Sequence, residues 1–90
     1  MKLTLDDIID VHKKISKNVK WTETSYSSSI SEKLGINIFF KFENRQYTGA
    51  FKVRGSYSKL LSLSDHERSS GVVAMSAGNH AQGLAFISNK

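Results

Sequence analysis

Apolar positions in this chain change period twice, from helical to strand-like spacing and back. Leu5, Ile8, Ile9, His12 and Ile15 stand three and four residues apart, which predicts a helix with one semi-apolar face through about Lys17. Thr4 and Asp7 have the spacing of a capping box that would open it. Residues 18–24 read as an extended connector. Residues 27–34 predict a short helix, with Gly35 as its natural stop. Residues 36–43 are rich in β-branched and aromatic side chains and predict a strand. A polar loop over 44–47 follows, and Thr48 is placed to cap a helix running through Phe51, Val53, Tyr57, Leu60 and Leu61. Ser64 and Glu67 form a second capping-box pattern, a short helical turn ended by Gly71. Residues 72–75 predict a short buried strand, and Gly78 or Asn79 starts a final helix containing Leu84, Phe86 and Ile87.

This order of helix, strand, helix, strand, helix predicts an α/β layout, with a parallel strand pair joined by a right-handed crossover. Strand-to-helix turns of such sheets lie at the carboxyl ends of the strands, where ligands bind. A two-stranded sheet is a poor independent domain. With the chain stopping at Asn89 and Lys90, inside the predicted last helix, the expectation is the beginning of something larger.

Composition narrows the classes. Ninety residues allow one small domain with a limited core. No apolar run approaches the roughly 20 residues that span a bilayer. The first residues turn acidic at Asp6 and Asp7, where a signal peptide would be apolar. The chain has no cysteine, so it carries no disulfide framework and no thiolate metal site. These features predict a cytoplasmic location with no membrane partner. The net charge of +5 raises a nucleic-acid reading, which predicts salt-dependent DNA binding. The basic residues are scattered, however, and favour solvated faces plus a few site residues over a nucleic-acid surface. His12 and His66 lack metal-ligand spacing, and no metal site is expected.

Two segments carry candidate chemistry. Thr48-Gly49-Ala50-Phe51-Lys52-Val53-Arg54-Gly55 sets a lysine one residue after an aromatic, where a polar loop meets an apolar helix. A lysine amine becomes a nucleophile in an apolar setting, which Phe51 and the helix behind it would supply. Taken alone, Lys52 reads better as a surface lysine snorkelling from a helix start. Ser76-Ala77-Gly78-Asn79-His80-Ala81-Gln82-Gly83 is a small-residue turn before a helix, where the backbone can approach a ligand and free amides attract carboxylate or phosphate. An ordinary tight turn with Asn79 as its N-cap is an equal reading of that segment alone. His80 has the chemistry of a general base, but a structural role is the stronger reading. For Arg54, a helix-surface ion pair outweighs phosphate binding.

Read together, the two segments closely resemble fold-type II pyridoxal-phosphate enzymes, in particular the threonine dehydratase (threonine ammonia-lyase) and serine racemase family. Lys41-Phe42-Glu43-Asn44 followed by the Lys52 segment is similar to that family's cofactor-lysine signature, and residues 76–83 resemble its asparagine loop. The resemblance extends to Leu5-Asp6-Asp7-Ile8 and Leu34-Gly35-Ile36, and so covers nearly the whole chain. It implies the tryptophan synthase β-like fold, with residues 1–90 as an incomplete N-terminal portion of a lyase catalytic domain. It implies that Lys52 binds pyridoxal 5'-phosphate covalently and removes the substrate α-proton. Phe51 would pack near the cofactor ring, Asn79 would bond its 3-hydroxyl, and Ser76, Ala77, Gly78, Asn79 and His80 would hold the substrate carboxylate. The implied reaction takes threonine, or serine, through loss of the β-hydroxyl; threonine yields 2-oxobutanoate and ammonia. The family is homo-oligomeric, and degradative members bind a nucleotide activator, for which Thr48 and Gln82 are the candidate residues here.

Departures from the family pattern refine this. Ala50 stands where serine is usual, Tyr47 replaces a commonly basic residue and puts nucleotide regulation in doubt, and Glu23-Thr24 lacks a customary proline. Ala77 replaces the serine that racemases use as acid and base, which predicts elimination over racemisation. The family's glycine-rich phosphate loop does not occur in these residues. The isolated chain is therefore expected to be at best feebly active. A non-catalytic remnant or partner-dependent fragment is the alternative from another class.

Overall fold

The computed structural model describes residues 2–90. Its first helix, α1, runs Leu5–Ile15 and starts as the sequence predicts. The Asp7 amide donates to Thr4 Oγ1 at 3.2 Å, and the Thr4 amide donates to Asp7 Oδ2 at 2.8 Å. Both arms of the capping box are thus made, and two orphan amides of the first turn are satisfied. The apolar stripe of α1 is less used than its spacing implies. Ile15 is buried, but Leu5, Ile8 and Ile9 remain exposed. A 3-10 turn over Ser16–Asn18 then leads to buried Val19.

Strand β1 (Thr24–Tyr26) pairs with strand β2 (Phe39–Lys41), and the pairing is antiparallel: Thr24 faces Lys41, Ser25 faces Phe40, and Tyr26 faces Phe39. This is a different pair from the expected parallel one of 36–43 with 72–75: residues 24–26, at the end of the predicted connector, take the place beside 39–41, and no parallel pair forms among the described residues. The connection holds only helix α2 (Ser28–Leu34), seven residues long, followed by Gly35 at φ 69°. Glycine takes that left-handed cap without a Cβ penalty, and the chain doubles back along β1. Ser31 secures the return, because its buried hydroxyl accepts the Ile38 amide at 2.8 Å.

Helix α3 covers Lys52–Ser62, α4 covers Asp65–Ser69 and α5 covers Asn79–Ser88. The second capping box, Ser64 with Glu67, opens α4 as expected. The predicted cap of α3 does not hold: Thr48 lies in a tight turn at φ 64°, and Phe51 occupies the N-cap without a side-chain bond. The predicted buried strand over 72–75 is also corrected. Val73 is 97% exposed and Met75 fully so, and the segment pairs with no described residue. A strand exists only through a neighbour that takes its amides and carbonyls.

The core lies where α3 crosses α5, with α1 against the side of α3. Ile15, Val19, Val53 and Ile87 are its buried apolar members, and Tyr47 stacks on Phe86 at 4.9 Å between ring centroids. The radius of gyration is 16.0 Å, against about 12 Å for a compact domain of this length. The molecule is elongated, and much apolar surface stays outside this one core. No helix is long and apolar enough to cross a membrane among the described residues.

Candidate functional site

The loop that delivers Lys52 to the start of α3 is held by a polar knot. Gln46 is buried, and its amide makes four hydrogen bonds. Its Oε1 accepts the Lys20 amide at 2.7 Å and the Tyr47 amide at 3.1 Å; its Nε2 donates to the Lys20 carbonyl at 2.9 Å and to Glu43 Oε2 at 3.1 Å. Arg54 Nε donates to Glu43 Oε1 at 2.5 Å, and a second guanidinium nitrogen donates to the Lys20 carbonyl at 3.3 Å. Arg54 therefore makes the ion pair the sequence favours, but the pair is only about a fifth exposed and ties the first turn of α3 to two other segments. Thr48 at φ 64° and Gly49 at φ 74° turn the chain sharply between this knot and Phe51.

The other half of the site is set by one glycine. A Cβ built at Gly83 on α5 would lie 3.1 Å from the Val53 nitrogen and 3.2 Å from the Lys52 carbonyl carbon. A residue without a side chain lets α5 approach the Lys52–Val53 peptide this closely without crowding it. The opening of α5 and the lysine are thereby brought to one place.

Between them lies a cleft of about 560 Å³. Phe51, Lys52, Ser56, Lys59 and His80 line it together with aliphatic side chains, and no carboxylate does. Lys52 is exposed rather than sunk in an apolar pocket, and its Nζ lies 5.1 Å from the centroid of the Phe51 ring. Of the residues picked out in the sequence, the cleft unites Phe51, Lys52 and His80. Ser76, Ala77 and Asn79 are exposed and do not line it. The Gly78 amide donates to Ser76 Oγ at 3.2 Å, and the N-cap of α5 is Gly78, not Asn79. With no side chain capping α5, its first amides keep no intrahelical acceptor and open toward an anion. Thr48 sits in the turn that packs on α5, with its hydroxyl enclosed and unpartnered, and Gln82 is exposed on α5. Neither lines the cleft.

Gln46 and Ser56 were not picked out from the sequence, and Glu43 and Gly83 stood in the matched segments without a role of their own. The Glu43–Arg54 charge pair flanking the loop was the one readable signal. The arrangement suits condensation chemistry: a primary amine beside an aromatic face, cations without a competing carboxylate, and a helix opening that favours negative charge.

The family profile described as "Pyridoxal-phosphate dependent enzyme" matches residues 15–90. An L-threonine ammonia-lyase of Thermotoga maritima is 51% identical over 84 residues, which is 93% of this chain and 21% of that protein. A catabolic L-threonine dehydratase of Escherichia coli is 46% identical across 96% of this chain and 26% of its own length. The crystal structure of serine racemase from Dictyostelium discoideum superposes with a TM-score of 0.87 at 44% identity, covering 96% of this chain and 28% of that one. The chain thus spans about a quarter of the length of the relatives it matches.

Proposed function

The chain belongs to the family of pyridoxal-phosphate dependent enzymes, and on that premise we propose that it is the lysine-bearing N-terminal portion of an ammonia-lyase acting on threonine or serine. One observation carries the reading: Lys52 opens α3 at a cleft that also meets the start of α5. The residues fit the cofactor. The cleft offers a primary amine, an aromatic wall, a second lysine and an enclosed Ser56 hydroxyl without a partner, a setting for an anionic aromatic aldehyde. When bound, pyridoxal phosphate supplies the electron sink for the substrate carbanion.

The chain's own residues have distinct tasks. Lys52 Nζ would hold the cofactor through its aldehyde and would serve as the base for the substrate α-proton. Phe51 offers an aromatic face beside it. Asn79 would donate its side-chain amide to the cofactor's phenolic oxygen, and residues 76–80 would hold the substrate carboxylate through backbone amides, once the opening of α5 turns toward the cleft that His80 already lines. Ala77 has no proton to give from the opposite face, which favours elimination over racemisation; rapid D-serine formation would refute this. Thr48 and Gln82 remain the candidate nucleotide-effector residues. The proposal includes assembly with other subunits and a cytoplasmic location, the latter tested by cell fractionation.

Mapping the pyridoxyl group fixed by borohydride after incubation with pyridoxal phosphate tests the anchor. The adduct is expected at Lys52 ahead of Lys59 and Lys90, and to vanish in Lys52→Ala. An even spread over the lysines would refute the assignment. Activity is tested in a chimera in which this chain replaces the matching segment of the Thermotoga maritima L-threonine ammonia-lyase. The chimera should release 2-oxobutanoate from threonine, and Lys52→Ala should abolish the release.

A further inference from the structure

One side chain in the Lys52 cleft has a polar atom with nothing to bond. Ser56 is 4% exposed, and its Oγ is enclosed without a hydrogen-bond partner among the described residues. An enclosed hydroxyl left unpaired costs free energy, so a partner delivered by another arrangement of the cleft is favoured. Ser56 stands one helical turn after Lys52 on α3, and both line the same cleft. Residues four apart share a helix face, and helical side chains lean toward the N-terminus. The Ser56 hydroxyl therefore leans over the turn that carries Lys52. The Lys52 amine also has no hydrogen bond among the described residues and rests against the Phe51 ring. An unpaired acceptor and an unpaired donor on a flexible stem lie within one turn of each other.

We propose that Ser56 is a positioning residue for Lys52: its oxygen accepts a hydrogen bond from the Lys52 ammonium and draws the amine from the Phe51 face into the cleft. The proposal rests on reading Lys52 as the reactive amine. Its test needs neither cofactor nor turnover.

The test is competitive trace acetylation of the full chain, read by mass spectrometry, with Lys59 and Lys90 as internal references. A held ammonium is protected, so Ser56→Ala should raise the relative labelling of Lys52 by about fivefold, the equivalent of one ordinary hydrogen bond. Ser56→Thr keeps the hydroxyl and should restore protection, with far-UV circular dichroism unchanged in both variants. Unchanged Lys52 labelling in Ser56→Ala, an equal rise at all three lysines, or a Ser56→Thr variant that behaves like Ser56→Ala would each overturn the proposal. If Lys52 is not the cofactor anchor, the borohydride map fails while this labelling pattern stands, so the two failures are distinguishable.

Discussion

Replacing Gly83 with alanine adds one methyl group where two helices already touch. That carbon would lie 3.1 Å from the Val53 nitrogen, 3.2 Å from the Lys52 carbonyl carbon and 3.4 Å from the Val53 Cα. Comfortable contacts between such atoms fall at about 3.5–4.0 Å, so α5 must retreat by a few tenths of an ångström. The neighbours are backbone atoms and cannot rotate away. Val53, the residue beneath, is completely buried and cannot give way into solvent. Overpacking of this kind costs about 1–3 kcal/mol, against which alanine recovers up to about 1 kcal/mol of helix propensity. With the full recovery the net loss is up to about 2 kcal/mol, and each kcal/mol lowers the melting temperature of a domain this size by about 4–8 °C. Gly55 provides the matched control, because a Cβ there meets nothing within 4 Å. Gly55→Ala on α3 should be neutral or stabilising by up to about 1 kcal/mol. Thermal and urea unfolding followed by far-UV circular dichroism reads both variants. A Gly83→Ala chain as stable as the parent, or a Gly55→Ala chain that loses more than it, would refute the claim that Gly83 sets the approach of α5 to Lys52.

Arg54→Ala should destabilise by about 1–3 kcal/mol, because it strips a charge-assisted bond from a largely covered Glu43. The loss should shrink in a Glu43→Gln background, and urea unfolding of the four chains in a double-mutant cycle measures that coupling. Val53→Ala removes two methyl groups from the most buried side chain of the core and should cost about 2–3 kcal/mol in the same assay. The Asp7 carboxyl is held below its ordinary value by the Thr4 amide and then by the Thr4 hydroxyl. Its folded-state value lies below its unfolded one, so its support of α1 is present at neutral pH and is lost as pH falls through the lowered value. Circular dichroism during acid titration should show α1 fraying there, and Asp7→Asn should remove that step; an unchanged titration would contradict it.

Signals that act between near neighbours along the chain form as their spacing predicts. The boxes of Thr4 with Asp7 and Ser64 with Glu67 and the stop at Gly35 are decided by residues three or four apart, so their bonds form wherever those segments go. Thr48 misled because the cap rule presumes extended backbone, and here a left-handed turn separates it from α3. The 72–75 segment misled because an apolar run marks a strand only when a partner strand lies beside it.

The order of residues by itself placed Lys52 at a helix start, placed the 76–83 turn before a second helix, and carried the family likeness in both segments. Those features depend on neighbours along the chain, and composition and spacing record them. Tertiary structure alone decided that β1 and β2 run antiparallel, that Arg54 clamps the lysine loop through Glu43, and that Gly83 brings α5 onto the Lys52 peptide. It also left Asn79 outside the cleft that Lys52 and His80 share. The physical reason is distance along the chain: Gly83 meets Lys52 across 31 positions, and Gln46 meets Lys20 across 26. Only packing against the whole chain determines which of many distant residues arrives at such a contact.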